Sequence, residues 1–371
     1  MERAWIAGRP AALDAAIVEA AKLVAASRQP VIAGLGTDVA GARAAIALAE
    51  CSGAVVDHMN SACLLRNLDV ACSSGVMLTT PTEAHVRADT LLLVGPGLDT
   101  AWPELPQRLF RGMGRAKAPD AAERRIFWLC PGRDAAKRAS GETMAEIIGK
   151  EPRDLPPLLA TLRARVAGRP TGGASISLKR LEEISNALKA ARFGVAVWSS
   201  AALDALTVEM LCGLVSDLNA STRFSGLPLS PADNARGVMQ ACGWTTGFPM
   251  RTGFGRGFPE HDPWRFDSRR LVDGGEVDCV IWISAYSADP PGWREEPPTI
   301  ALTAPGAAFR AAPRVHIEVG RPGIDHAAVQ HLVMADALVA VAAKQPSDRI
   351  SVADAISRMA SALPESGERP C

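Results

Sequence analysis

The sequence predicts an α/β protein with two parallel sheets, arranged as two interleaved domains. Helical and strand-like segments alternate along the whole chain of 371 residues. The strand-like segments are apolar throughout instead of alternating with polar residues, which marks strands covered on both faces, as in parallel sheets between helix layers. The second half also repeats the order of strand types in the first, so each sheet is expected to draw strands from both halves.

Residues 10–27, PAALDAAIVEAAKLVAAS, place Leu13, Ile17, Ala21 and Val24 at helical spacing and form an amphipathic helix. Strand PVIAG (30–34) follows, then helix VAGARAAIALAEC (39–51) and strand AVVD (54–57). DTLLLVGPG (89–97) and RIFWLCPG (125–132) are two further apolar strands. A polar, helix-rich connection runs to about residue 190, and its clearest break is Gly-Arg-Pro-Thr-Gly-Gly at 168–173. RFGVAVWSS (192–200) then matches the first strand and leads into a helix over 202–218, with Leu206, Met210, Leu211 and Leu214 on one face. DCVIWISAYSADP (278–290) answers DTLLLVGPG, PTIALTAPG (298–306) answers RIFWLCPG, and RVHIEVG (314–320) adds one more short strand.

Composition removes several function classes. Lys plus Arg and Asp plus Glu both total 40, so no net charge draws the chain to nucleic acid or anionic lipid. No apolar run approaches the roughly 20 residues that span a bilayer. The start, MERAWIAGRPAALDAA, lacks a charged-then-apolar signal pattern, so a soluble cytoplasmic protein is expected. Eight cysteines (51, 63, 72, 130, 212, 242, 279 and 371) show no Cys-x-x-Cys spacing, against a structural zinc site, an iron–sulfur cluster or a disulfide framework. Most are expected to be small buried hydrophobes. The six histidines (58, 85, 261, 316, 326 and 331) form no His-Glu-x-x-His motif, and neither a nucleophile elbow nor a phosphate loop occurs.

PVIAGLGTDVAG, 30–41, followed by Asp57 after a second apolar run, has the outline of a dinucleotide-binding unit. Such a unit needs a third glycine three residues after the second, where the backbone approaches the pyrophosphate. Here Val39 stands at that position after Gly34 and Gly36. The turn therefore reads as a strand-to-helix connection needing positive φ, with Thr37 or Asp38 as helix N-cap. An NAD(P)-binding α/β enzyme stays open as a separate reading, resting on Gly34, Gly36 and Asp57.

The segment NARGVMQACGWTTGFPMRTGFGRGFPEHDP, 234–263, interleaves glycines with Trp244, Phe248, Phe254 and Phe258. It is too aromatic for disorder and too glycine-rich for helix or strand, so a long structured loop is expected. Trp244 and Phe258 are its expected packing anchors. Together with VVDHMNSACLL, 55–65, this segment resembles the beta subunit of formylmethanofuran dehydrogenase, in the molybdopterin oxidoreductase superfamily. The matching pattern is Asn234-x-x-Gly237-x-x-Gln240-x-Cys242-x-Trp244-x-Thr246-Gly247-x-Pro249, then Arg256-Gly257-Phe258-Pro259. The resemblance implies that the chain leaves its first domain after the loop carrying Cys63 and returns later. The expected partition is 1–75 with 190–262, and 76–189 with 263–371; strands 30–34 and 54–57 join 193–198, and 90–95 and 126–130 join 279–284 and 299–303. It also implies that Cys63 stands at the position of the ligand to tungsten or molybdenum. Cys63, Asn234, Gly237, Gln240, Trp244, Gly247 and Arg256 would then outline a remnant of the pterin cleft.

The departures from the family pattern point away from redox chemistry. Active members start with a cysteine-rich segment holding a [4Fe–4S] cluster, whereas the first cysteine here is Cys51, so that segment is expected to be lacking. Active members resemble Cys-His-Gly-Pro after the metal ligand; Cys63-Leu64-Leu65-Arg66 stands here. Their Gly-x-Asn-Pro reads Gly95-Pro96-Gly97-Leu98. This pattern of loss resembles the beta subunits of the formyltransferase/hydrolase complexes of methylotrophic bacteria. That resemblance implies a non-catalytic structural subunit with no cofactor and no metal. Its implied partners are an amidohydrolase-like alpha subunit, a formyltransferase subunit and a gamma subunit. A working subunit with molybdopterin and molybdenum or tungsten is the alternative.

Overall fold

The computed structural model describes residues 3–110, 124–136, 145–171, 176–293 and 297–364. Gly172 and Gly173 of the break at 168–173, and Cys371, lie outside them. The chain forms two compact units, each drawing on separated stretches: Met1–Ser61, Ala232–His331 and Leu338–Cys371 in one, Ala62–Pro231 and Leu332–Ala337 in the other.

The first unit holds a nine-stranded sheet. Its centre is parallel, in the order Val55–Val56, Pro30–Gly36, Cys279–Ser284, Thr299–Thr303 and Val315–Glu318. Every residue of Pro30–Gly36 and Cys279–Ser284 is buried, as expected of strands covered on both faces. One edge closes with the antiparallel hairpin of Thr252–Gly253 and Glu260–His261, the other with Ala4–Ile6 and Arg9–Pro10. Helix Leu13–Ala26 buries Ile17, Ala21 and Val24, and helix Val39–Ser52 packs against Val352–Ser361.

The second unit is a five-stranded, wholly parallel sheet: Glu146–Ile148, Arg125–Leu129, Thr90–Val94, Gly194–Trp198 and Phe224–Pro228. Successive residues feed two separate cores, because side chains alternate across a strand. Leu92, Val94, Leu129 and Trp198 join residues of helices Leu155–Val166, Leu178–Lys189 and Ala205–Leu218. Leu91, Leu93, Trp128 and Val197 join Leu98, Leu105 and Leu109 on the other side.

Strand pairing corrects the expected partition. Pro30–Gly36 pairs with Cys279–Ser284, and Thr90–Val94 with Gly194–Trp198, the reverse of the expectation. Residues 62–75 and 190–231 consequently belong to the second unit, and 263–331 to the first. The physical reason is that strands buried on both faces share one apolar code. Which parallel neighbour each takes is set by the packing of the intervening helices, which no local pattern records.

Two element assignments also change. Residues 235–246 form a helix, Ala235–Thr246, within the expected loop. Its two interior glycines cost about 1 kcal/mol each against alanine, which burial of Val238, Ala241 and Cys242 offsets. The helix after Gly194–Trp198 starts at Ala205 on its N-cap Asp204 and buries Val208, Leu211, Leu214, Val215 and Leu218, while Leu206 points to solvent. Of the cysteines, Cys130, Cys212, Cys242 and Cys279 are buried, Cys63 is half-buried, and Cys51 and Cys72 are exposed. Among the described residues no helix is long and apolar enough to cross a membrane.

Candidate functional site

In the first unit the strand order reverses between Pro30–Gly36 and Cys279–Ser284. The chain steps outward from the first to Val55–Val56, and from the second to Thr299–Thr303. The crevice outside the carboxyl ends of such strands is where open α/β sheets bind ligands. Here the chain fills it. Gly34 takes φ 75°, and a Cβ on it would lie 2.6 Å from the Ile283 carbonyl oxygen, so only glycine fits both the turn and the gap. A Cβ on Gly36 would meet Cβ of Asp233 at 3.2 Å and Cε of Met59 at 3.3 Å. Asp38 caps helix Val39–Ser52 by accepting from the Gly41 amide at 3.0 Å.

The plug is the turn Asp233–Asn234, both residues in the left-handed region at φ 58° and 56°. The Asn234 side chain donates to the Thr37 carbonyl at 2.8 Å and accepts from the His331 amide at 2.8 Å, tying the turn to the strand exit and to strand Ala328–Leu332. A Cβ on Gly237 would lie 2.3 Å from Asn234 Oδ1. The Asn-x-x-Gly spacing is therefore a structural device, with glycine leaving room for the asparagine amide to fold back over the first helical turn. Gly237→Ala should cost about 1–2 kcal/mol by displacing those two hydrogen bonds. Gly243→Ala, on the same helix with nothing within 4 Å of its Cβ position, should gain about 0.5–1 kcal/mol. Urea unfolding of the two variants checks the contrast; equal effects would refute it.

His58 closes the plug from below. Its Nε2 donates to the Asp233 carbonyl at 3.0 Å and its Nδ1 accepts from the Asn60 amide at 2.9 Å, which fixes one neutral tautomer. Burial lowers its pKa to about 4. Beside it, Asp57 accepts from the His58 amide at 2.9 Å and from the Ser268 amide and hydroxyl at 3.0 and 2.7 Å. Arg251 Nε stands 3.7 Å from Asp57, and the same guanidinium reaches Asp267 at 2.6 Å and the Ser61 hydroxyl at 3.2 Å. Burial raises the Asp57 carboxyl, against the pull of Arg251 and the hydrogen bonds. Nothing in the sequence singles out this Asp57–Arg251–Asp267 network, although Arg251 lies in the segment that carries the resemblance.

The crevice has the wrong electrostatics for a pyrophosphate. Tyr286 donates to Gln330 at 2.8 Å, and its phenol is pushed up by burial and then by Asp38 and Asp233. Burial raises Asp233 too, with Asp289 adding to it. A phosphate entering at the start of helix Val39–Ser52 would meet a carboxylate cap, other carboxyls and a closed backbone. The residues of this crevice do not fit the phosphate arm of a pterin cofactor.

The structure scatters the remaining candidate residues. Gln240 leaves Oε1 buried without a partner, Trp244 is exposed near the helix end, and Gly247 ends that helix at φ 80°. The hairpin runs from Arg251, bonded to the Val56 carbonyl, to Phe254, bonded to that of Ala54, so Arg256 reaches the amino-terminal edge of the sheet. There it pairs with Glu260 at 3.2 Å. Trp244 and Phe258, the expected packing anchors, are both exposed, because each lies on a turn or helix end outside the sheet layers. Cys63 belongs to the second unit, in helix Ser61–Ser74, with its carbonyl accepting from the Ser200 hydroxyl at 2.8 Å. Burial raises its thiol despite nearby Arg66, and Leu64 and Leu65 beside it are buried. A metal ligand needs the thiolate. Among the described residues no three His, Cys, Asp or Glu side chains gather as a metal site.

Fold and site together define a parallel α/β protein related to oxidoreductase subunits, with its switch-point crevice closed by its own chain. No family model matches the chain. It is 35% identical over 378 residues to the beta subunit of the formyltransferase/hydrolase complex Fhc of Methylorubrum extorquens, across 98% of this chain and 99% of that one. The chain belongs to that family of complex subunits. It is 28% identical over 291 residues to the beta subunit of the tungsten-containing formylmethanofuran dehydrogenase 2 of Methanocaldococcus jannaschii, covering 73% of this chain and 64% of that protein. A chain in the crystal structure of the Methylorubrum extorquens formyltransferase/hydrolase complex with methylofuran superposes with a TM-score of 0.85 at 34% identity, over 96% of this chain and 98% of that one.

Proposed function

We propose that this chain is a non-catalytic structural subunit of a formyltransferase/hydrolase complex. It assembles with an amidohydrolase-like alpha subunit, a formyltransferase subunit and a gamma subunit. The complex moves a formyl group from formyl-tetrahydromethanopterin to a methanofuran-type carrier and hydrolyses it to formate in one-carbon metabolism. The closed switch-point crevice carries this reading: Asp233 and Asn234 occupy the space a cofactor's phosphate would need. The family to which the chain belongs supports membership of such a complex. The raised Cys63 thiol, next to buried leucines, supports the absence of metal chemistry.

Metal analysis of the purified complex tests this directly. It should find far less than one molybdenum or tungsten per chain, and no pterin. Cys63→Ala should leave formyl hydrolysis by the complex within about twofold, equivalent to roughly 0.4 kcal/mol in barrier. One metal per chain, or a hundredfold loss in an intact Cys63→Ala complex, would instead make it a working molybdenum or tungsten protein.

A further inference from the structure

The hairpin edge of the first unit exposes aromatic side chains that its own core does not use. Trp244, Phe248, Phe258 and Trp264 are 68%, 38%, 53% and 70% exposed. Phe248 stacks on His261 of the edge strand at 6.2 Å, and the Arg270 guanidinium covers Trp264 at 4.4 Å. With 150–250 Å² per aromatic side chain, roughly 400–500 Å² of ring surface lies in water. Patches of that size mark interaction sites.

The same edge opens a cavity of about 410 Å³, lined among others by Arg28, Arg256, Glu260, Arg265, Phe266 and Glu276. Its two glutamates are already matched: Glu260 by Arg256 at 3.2 Å, Glu276 by Arg270 at 2.5 Å. Arg28 and Arg265 form no ion pair among the described residues. Nearby Asp262 spends Oδ1 on the Trp264 and Arg265 amides, and Asp278 accepts from the Ser27 hydroxyl and the Arg28 and Gln29 amides. The cavity therefore keeps two guanidinium groups without a carboxylate partner beside an aromatic rim.

We propose that this edge is a docking surface for another component of the complex, which inserts an acidic segment into the cavity alongside Phe258 and Trp264. The carboxylates of that segment meet Arg28 and Arg265, and its apolar side chains cover the rings. A second copy of this chain fits poorly, because a two-fold contact would set the same arginines against each other. The proposal rests on the reading of the chain as a member of a complex.

The test co-expresses the tagged chain with the other subunits and measures what it retains as salt is raised. Phe258→Ala with Trp264→Ala, and separately Arg28→Glu with Arg265→Glu, should each reduce retention at least tenfold with melting unchanged. The wild-type interaction should weaken as salt rises. Hydroxyl-radical labelling of Phe258 and Trp264 in the wild-type complex gives a readout that needs no variant, and both should be labelled at least fivefold less than in the chain alone. Retention unchanged in both variant pairs, or equal labelling, overturns the docking surface and leaves the proposed function standing. Failure of the wild-type chain to retain any partner overturns both. A wild-type homodimer that both variant pairs convert to monomer, with retention intact, assigns the edge to a second copy and overturns the proposal.

Discussion

Arg251→Met should destabilise the first unit by about 3–5 kcal/mol, the usual cost of removing one partner from a buried ion pair. Arg251 is the cation between two carboxylates, with Asp57 only 2% exposed. Without it, Asp57 keeps its bonds from Ser268 and from the His58 amide but loses the nearest opposite charge. Methionine preserves much of the stem's volume, so the loss reports charge more than packing. Adding Asp57→Asn to the Arg251→Met chain should recover part of the deficit, because the uncompensated charge disappears. Urea unfolding of both chains decides: a cost under about 1 kcal/mol for Arg251→Met would show the pair to be solvated.

His58 should make the first unit sensitive to acid. Its pKa is about 4 in the folded chain, against an ordinary value of 6.5. Between those values the unfolded chain binds a proton that the folded chain refuses, so stability falls as pH falls through that window. The full span amounts to about 3 kcal/mol. Asp57 and Asp233 tilt the other way, because their raised carboxyls hold protons in the folded state above pH 3.8. The His58 contribution is therefore read as a difference. The stability gap between wild type and His58→Gln should shrink steadily from about pH 7 to about pH 4.5; a gap constant with pH would show that His58 is not held neutral.

The α/β class and most strand positions were legible because Pro30–Gly36, Thr90–Val94 and Cys279–Ser284 are uninterrupted apolar runs. The cap at Asp38 was also legible, since its side chain acts on an amide three residues away. Strand partnership was not, because Pro30–Gly36 finds its neighbour Cys279–Ser284 across most of the chain's length. Of the site, Asn234 and Gly237 were found as a spacing, and their geometry explains it. Arg256 was grouped with them by sequence proximity alone; a two-strand hairpin then carried it to the opposite edge of the sheet. Arg251 was missed because nothing local distinguishes a buried arginine from a solvated one. Its partners Asp57 and Asp267 come from other segments.

The division of the chain also sets an order of synthesis. The second unit is nearly one continuous stretch, Ala62–Pro231, so almost all of it has emerged from the ribosome before the first unit can close. During that interval Pro30–Gly36 has Val55–Val56 on one side and an open apolar edge on the other, awaiting Cys279–Ser284. Helix Val39–Ser52 waits longer still, for Val352–Ser361. Unpaired parallel edges of this kind are where nascent chains associate wrongly. A translation product that stops between residues 231 and 279 would therefore carry a finished second unit and a sticky, half-built first one, which makes it a substrate for chaperones and proteases.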